Sequence, residues 1–598
     1  MSAGPIRPSG TAQSVLRPVT PARISGGLWA ARRRTNAEVS IPQGPRRLEE
    51  AGNLANLRAA ATRGGGFAGD FPFQDSDVHK WLEAASWQLA DPDTPDGVRL
   101  AADVDRFIEL LGAAQEPDGY LQTHYQVAHA ERRWQELDWG HELYCAGHLI
   151  QAAVAHHRST GKPELLALAE RFATHIDSVF GADRRIDGVC GHPGIETALV
   201  ELHRETGDRR WLDLAGYFVD RRGHGLLGDG EKGFPGAAYW QDHVPVRTAE
   251  TVTGHAVRQL YLLAGVTDLA AETGDAGLRD ASVRLWEAMT ASKTYLTGGL
   301  GARHELESFG DPYELPPDRA YAETCAAVAS VQWSWRLALL TGEARYSDLI
   351  ERTLLNGFLA GAGLDGDSWL YVNPLQVREG YEGRRDDRAA RRTPWFRCAC
   401  CPPNVMRLLA SLPHYFASTS GDGGDVQLHQ YATGTFGPVS VETGYPWDGR
   451  IAVTAGRSGV WTLSLRIPAW CTGATLDGTP VIAEAGWLRV RRDWRQGETV
   501  VLGLPMEPRL TRPDPRVDAV RGCVAIERGP LVYCLESADQ SRRLDEVVLP
   551  PDTPLTAGHR PGLLGGVTVV TGGGLTAVPY AVWANRGAGA MRVWIPTA

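Results

Sequence analysis

Three of the chain's nine cysteines fall within four positions, in Cys398-Ala399-Cys400-Cys401-Pro402-Pro403-Asn404. Adjacent cysteines rarely bridge each other, because the small ring strains disulfide geometry. Clustered thiols in a cysteine-poor chain point to a metal, a reactive thiolate, or both; a structural zinc clip is the plainest reading. Pro402 and Pro403 suit a first helical turn, and Asn404-Val405-Met406-Arg407-Leu408-Leu409 continues it. Amides at a helix start favour negative charge, so a cysteine there tends toward thiolate. A second candidate lies upstream in Ala320-Tyr321-Ala322-Glu323-Thr324-Cys325, which opens another helix. Glu323 and Cys325, two apart, can chelate one ion from an irregular helix entrance. With Cys400 and Cys401 they supply one oxygen and three sulfur ligands, a tetrahedral zinc set. Thiolate-rich ligation favours Zn2+ over magnesium or calcium. Cys398 would be a neighbour, and Cys145, Cys190, Cys471, Cys523 and Cys534 read as small buried hydrophobes.

Three Gly-His pairs form a second constellation: Gly140-His141, Gly191-His192 and Gly254-His255, each just before a helix with an apolar face. One histidine at a helix start is usually a capping or core residue. Three at equivalent starts would converge on one pocket if the helices close into a ring. Neutral imidazoles there donate and accept hydrogen bonds, which suits sugar hydroxyls; they could also bind metal. The third pair follows the polar-aromatic loop Tyr239-Trp240-Gln241-Asp242-His243-Val244-Pro245-Val246. The glycine-rich Thr297-Gly298-Gly299-Leu300-Gly301 lacks a following Gly-Lys-Ser/Thr, so nucleotide binding is rejected. It leads to Glu307, by itself an exposed loop carboxylate. Tyr371-Val372-Asn373-Pro374-Leu375 bounds the loop that runs into the cysteine stretch.

The elements that must position these groups are helices. Apolar residues recur at helical spacing from Trp81 to about residue 420, as in Val104-Phe107-Leu110-Leu111, Leu165-Leu168-Phe172-Ile176 and Val328-Val331-Trp335-Leu339. Asp75-Ser76-Asp77 offers an N-cap for the first of them. A turn repeats between helices: Thr160-Gly161-Lys162, Thr206-Gly207-Asp208, Thr273-Gly274-Asp275 and Thr341-Gly342-Glu343, with Ser420-Gly421-Asp422 at the end. This is a series of αα-hairpins, roughly a dozen helices, and closure into an (α/α)6 barrel gives the rim residues a centre. Beyond Gly423 alternation at period two takes over, as in Trp461-Leu463-Leu465-Ile467. The expected organisation is therefore mainly α with β: a disordered 1–23, a catalytic barrel over 24–422, and β-sandwiches over 423–520 and 521–598. The β region carries no visible chemistry.

At 598 residues the chain exceeds one core. A net charge of −10 and no basic stripe argue against nucleic acid. No apolar run suits a membrane span, no secretory signal is visible, and an odd cysteine count fits a reducing cytoplasm.

These pieces together resemble glycoside hydrolase family 127, the β-L-arabinofuranosidase family once known only as a domain of unknown function. The resemblance rests on Asp75-Ser76-Asp77-Val78-His79-Lys80-Trp81, His141-Glu142-Leu143-Tyr144-Cys145-Ala146-Gly147-His148, Gln241-Asp242-His243-Val244-Pro245-Val246, Glu323-Thr324-Cys325 and Cys398 to Asn404. Pro579-Tyr580 and Trp583-Ala584-Asn585-Arg586-Gly587 also match. His79 departs from it, where tyrosine is expected. The resemblance implies an (α/α)6 barrel with β-sandwich domains and zinc on Glu323, Cys325, Cys400 and Cys401. It implies Cys400 as nucleophile, Glu307 as general acid/base, and His141, His192, His255 and Tyr371 holding the sugar. The implied reaction is retaining, exo-acting release of terminal β-L-arabinofuranose from an oligosaccharide or glycoconjugate. A same-family hydrolase of an acidic branched sugar, 3-C-carboxy-5-deoxy-L-xylose, and an αα-barrel sugar epimerase are the alternatives. A non-catalytic sugar-binding protein with structural zinc is a third. Whether the chain works as a homodimer stays open.

Overall fold

A computed structural model describes residues 4–228, 236–381, 391–421, 423–481 and 485–597. From Asp75 to Ser411 the chain runs as helices in pairs: Asp75–Leu89 with Gly97–Ala114, Glu142–Thr160 with Glu164–Val179, and Ile195–Thr206 with Arg209–Arg221. Ala256–Thr273 with Ala276–Ser292 and Thr324–Thr341 with Ala344–Arg352 follow, and Cys401–Ser411 closes the series. The first member of a pair is buried nearly all round, as in Thr324–Thr341 and Ala256–Thr273. The second buries one stripe, as in Gly97–Ala114 and Glu164–Val179. Inner and outer helices of an (α/α)6 arrangement need that difference, and with the C-terminal β-sheet domains this is the expected fold class.

The repeated turn has one mechanism at all four helix ends. Each glycine is left-handed, with φ of 74° at Gly161, 77° at Gly207, 72° at Gly274 and 76° at Gly342. The preceding threonine hydroxyl donates to the carbonyl four residues back, at 2.7–2.8 Å. It also accepts from the amide two residues ahead, at 3.1–3.3 Å. Threonine suits this position because its one hydroxyl back-bonds to the helix and also accepts the amide that follows the glycine, which fixes the direction of the exiting chain. The fifth turn differs: Ser420 ends the strand Ala417–Ser420, and Asp422 lies outside the described residues.

The chain forms two compact units. One comprises Met1–Ser14, Asn36–Ala288 and Arg397–Leu412; the other comprises Val15–Thr35, Met289–Phe396 and Pro413–Ala598. The described N-terminal residues are ordered, contrary to expectation. In the first unit Ile6 is buried, the Gly4 carbonyl accepts from Arg158, and Ser9 donates to Glu272 at 2.5 Å. In the second, Leu16–Pro18 pairs with Ala417–Ser420 and Ala22–Ile24 with Gly434–Phe436. A composition rich in proline and serine reads as disorder, but these strands are completed by partners some 400 residues away.

Those N-terminal strands join a five-stranded and a seven-stranded sheet, whose longest pairing is Gly459–Ile467 against Gly486–Trp494. A nine-stranded sheet follows, with Pro508–Thr511 as its first strand in the C-terminal region. Its Val532, Cys534, Val569 and Val578 share one core with Tyr295, Ala320, Ala322, Leu370 and Leu375. The sheet therefore backs the segments that carry Glu323 and Tyr371. Gln376–Val377 pairs with Met591–Arg592, and the Tyr580 hydroxyl donates to the Pro374 carbonyl at 3.0 Å.

Asp75 does not cap its own helix. Gln74 holds that position without a side-chain cap, while buried Asp75 accepts from the Thr123 amide at 2.7 Å and hydroxyl at 2.6 Å. Burial pushes its carboxyl up to about 6, against the pull of those two bonds.

Candidate active site

In the first unit the cysteine stretch enters the Cys401–Ser411 helix with Cys400 at the N-cap and both prolines in the first turn. No disulfide joins Cys400 and Cys401, whose Sγ atoms lie 3.8 Å apart. About two turns on, Arg407 fixes the helix in place. Its Nε donates to Asn404 Oδ1 at 2.7 Å, its Nη1 to Glu83 and Gln151 at 2.9 Å, and its Nη2 to the Tyr261 hydroxyl at 3.0 Å. The cysteines are thereby referenced to three other helices of the unit. Lys80 is fully buried, with Nζ 3.3 Å from Ser76 Oγ, 4.0 Å from Asp77 and 5.1 Å above the Tyr144 ring.

The three Gly-His pairs do converge. His141 and His255 hold the N-cap positions of Glu142–Thr160 and Ala256–Thr273, and His192 lies three residues before Ile195–Thr206. Ring centroids of His141 and His192 are 5.5 Å apart, and those of His192 and His255 6.0 Å. Tyr144 sits 4.1 Å from His192. The glycines are needed for approach: a Cβ on Gly191 would lie 2.0 Å from the Asp138 carbonyl, and Gly254 has a φ of 66°. His141 Nδ1 faces the Trp139 carbonyl and His192 Nδ1 faces the Pro193 carbonyl, the latter at 2.7 Å. A carbonyl only accepts, so both Nδ1 atoms carry the proton and both Nε2 atoms are acceptors. Burial first, then the Arg258 charge, holds both imidazoles well below their ordinary range.

The polar-aromatic loop is scaffold. Asp242 accepts three backbone amides, those of Gly223 at 2.7 Å, Leu227 at 2.9 Å and His224 at 3.1 Å. Gln241 Nε2 donates to the carbonyls of Tyr239 and Thr253, both at 3.0 Å.

In the second unit Glu323 is the N-cap of Thr324–Thr341, and Cys325 is buried in its first turn. The Tyr371 strap clamps this entrance. The Thr324 amide donates to the Tyr371 carbonyl at 3.0 Å, and Asn373 Nδ2 donates to the Ala322 carbonyl at 2.8 Å and Thr324 Oγ1 at 3.0 Å. The Tyr371 ring lies 6.1 Å from Tyr321 and 5.5 Å from Phe396. The glycine-rich segment is a turn whose Gly301 carbonyl accepts from the Ala322 amide at 2.9 Å. Glu307 follows in a tight loop, half-buried, with φ of 66° at Leu306 and 54° at Glu307 itself. Two successive non-glycine residues in the left-handed region are uncommon and aim the carboxylate by backbone constraint.

Among the described residues no helix is long and apolar enough to cross a membrane. Sequence reasoning passed over Arg258, Arg407, Lys80 and Asn373 as components of this arrangement. For the three on helices the one signal was a polar residue at three- or four-residue spacing on an otherwise apolar face, as with Arg258 three after His255 and Tyr261 three after Arg258; Asn373 lies outside any helix.

Clustered neutral histidines and paired thiols in one unit, and positioned carboxylates in the other, are groups that a hydrolase can use. The family model described as the β-L-arabinofuranosidase GH127 catalytic domain matches residues 22–414. The GH127 middle-domain model matches residues 429–506, and the family 127 C-terminal-domain model matches residues 508–596. The chain belongs to glycoside hydrolase family 127. A relative named non-reducing end β-L-arabinofuranosidase, from Bifidobacterium longum subsp. longum, is 36% identical over 90% of this chain and 92% of its own length. The crystal structure of a GH127 β-L-arabinofuranosidase from Geobacillus stearothermophilus T6 is 38% identical, covers 97% of this chain and 100% of its own, and has a TM-score of 0.91. A further GH127 β-arabinofuranosidase structure is 34% identical over 99% of both chains, with a TM-score of 0.90.

Proposed function

We propose that this enzyme is a retaining, exo-acting β-L-arabinofuranosidase that releases terminal L-arabinofuranose from oligosaccharides or glycoconjugates. The relative of that name, aligned over nine-tenths of the chain, carries the reading. Cys400 is the nucleophile and Glu307 the general acid/base. His141, His192, His255 and Tyr371 hold the sugar, where acceptor Nε2 atoms suit hydroxyl donors.

Glu323, Cys325, Cys400 and Cys401 are the residues that would hold Zn2+. Three thiols and one carboxylate suit it, and the Cys400–Cys401 separation of 3.8 Å supports the fit. About 3.8 Å is the edge of a tetrahedron with ~2.3 Å Zn–S bonds. When bound, zinc would keep the thiols deprotonated.

In the first step Cys400 Sγ attacks the anomeric carbon while the Glu307 carboxyl gives its proton to the departing oxygen. The product is a thioglycoside on Cys400. In the second, the Glu307 carboxylate takes a proton from water, whose oxygen displaces Sγ at the same carbon. Two inversions leave the configuration retained.

A nitrophenyl β-L-arabinofuranoside tests this. Its leaving group needs little acid help, whereas the water step still needs a base. Glu307→Gln is expected to give a burst of nitrophenolate and then stall, with steady turnover down roughly 10²–10⁴-fold. Intact mass should rise by one sugar residue, mapped to Cys400, and Cys400→Ala should show neither burst nor adduct. An adduct on a carboxylate, or an inverted product, would refute the cysteine mechanism.

A further inference from the structure

Arg258 lies one turn into the Ala256–Thr273 helix, buried, three residues after His255. It touches the entrances of two other helices of its unit. Nη1 donates to the Gly191 carbonyl at 2.8 Å, next to His192, and Nη2 lies 3.5 Å from His141 Nε2. The guanidinium is stacked on Tyr239 and Trp240, 5.0 Å and 4.7 Å from their centroids. Trp240 is held in turn by its carbonyl, which accepts from Arg222 at 2.8 Å.

We propose that Arg258 is a positioning residue that holds His141 and His192 as neutral Nδ1–H imidazoles, with His141 Nε2 facing the guanidinium and His192 Nε2 left as the acceptor for a sugar hydroxyl. The geometry argues this in two parts. First, the carbonyls of Trp139 and Pro193 take the Nδ1 protons, so a second proton on either ring could go only to Nε2. At His141, Nη2 of a permanent cation already occupies the Nε2 side, and a proton there would place positive charge against positive charge. Second, the planar fork reaches His141 and the Gly191 carbonyl at once, which sets the spacing of the two histidine-bearing entrances. Lysine supplies the charge but not the fork.

Other titratable groups also face these rings among the described residues of the unit. His141 faces Tyr144, His192, His255 and the charge of Lys80; His192 faces Tyr144, Tyr261 and His255. None of them is a carboxylate. After burial, the Arg258 charge is the largest influence on both rings, and it acts against protonation.

The inference rests on the sugar-binding reading of the histidines, so its test includes a readout that needs no substrate. In histidine-¹⁵N-labelled, zinc-loaded full chain, long-range ¹⁵N–¹H spectra report tautomer and protonation, with His141→Gln and His192→Gln giving the assignments. Both rings should show Nδ1–H and stay neutral across the working range. In Arg258→Gln, His141 and His192 should titrate at higher pH. The acid limb of kcat/KM on nitrophenyl β-L-arabinofuranoside should move up by about one pH unit. KM should rise about tenfold with little change in kcat, as loss of ground-state positioning requires. Arg258→Lys should restore the limb but not KM. An unmoved limb and unmoved histidine signals in Arg258→Gln would overturn the proposal, as would Arg258→Lys behaving like Arg258→Gln in both. If Arg258→Gln does not fold, the wild-type spectrum and Arg258→Lys decide, and an Nε2–H signal from either ring overturns it. Failure of the wild type to cleave the arabinofuranoside would sink the substrate reading while leaving the spectra to judge Arg258.

Discussion

Buried titratable groups in the first unit set its response to pH, and they pull in opposite directions. Glu142, next to His141, accepts from the Trp134 amide at 2.9 Å and from the Tyr120 hydroxyl. Burial outweighs those bonds and pushes its carboxyl from 4.5 up to about 8. Between those values the folded chain keeps a proton that the unfolded chain has lost, so this group's contribution to stability falls as pH rises. His141, His148 and His192 act in the other sense. Burial keeps them neutral, so the unfolded chain takes up protons first as pH falls through the imidazole range, and stability falls with it. Glu142→Gln should therefore flatten the loss of unfolding temperature as pH rises and steepen the loss as pH falls, because the raised carboxyl acts across the whole interval between 4.5 and about 8. Thermal unfolding at intervals from about pH 5 to about pH 8 measures this. An alkaline slope identical to wild type would assign that loss to other groups.

At the scale of elements, the helix carrying the cysteines is located by one buried arginine. Arg407 is 2% exposed and meets Glu83, 5% exposed, at 2.9 Å. Removing one partner leaves the other charge buried and uncompensated. Arg407→Met is expected to cost about 3–5 kcal/mol in urea unfolding. Arg407→Met with Glu83→Gln should recover part of that, because the orphaned charge is gone. A double variant no more stable than the single would show that packing, not the charge pair, anchors the helix. The Thr-Gly turns work at the same scale: one hydroxyl and one left-handed glycine end four helices alike.

For the whole molecule, the proposed metal couples donors from widely separated parts of the chain, so its binding energy becomes folding energy. Purified protein should carry one zinc per chain by elemental analysis. Stripping it with a chelator should lower the unfolding temperature, and stoichiometric zinc should restore it, since a ligand of the folded state alone stabilises by mass action. A Cys325→Ala/Cys401→Ala double variant should bind none. Zinc content unchanged in that variant would refute the ligand set. The C-terminal region has a positioning part in the second unit: its nine-stranded sheet backs Ala320 and Ala322 and pairs with Gln376–Val377.

What the sequence by itself determined is what short-range rules encode. Clustered thiols before two prolines, glycine before each of three histidines, threonine-glycine at four helix ends and the switch of period from helix to strand depend on neighbours within a few residues. Each was readable for that reason. Tertiary structure alone decided where single polar residues find partners. Asp75 turned from its own helix to Thr123, 48 residues on. Arg258 met His141 across 117 residues and Arg407 met Glu83 across 324. The N-terminal strands, low in apolar pattern, were completed by Ala417–Ser420 and Gly434–Phe436. Such groups carry no periodicity; a buried charge or an edge strand is stable only through a partner, and the partner's identity is a property of the folded chain.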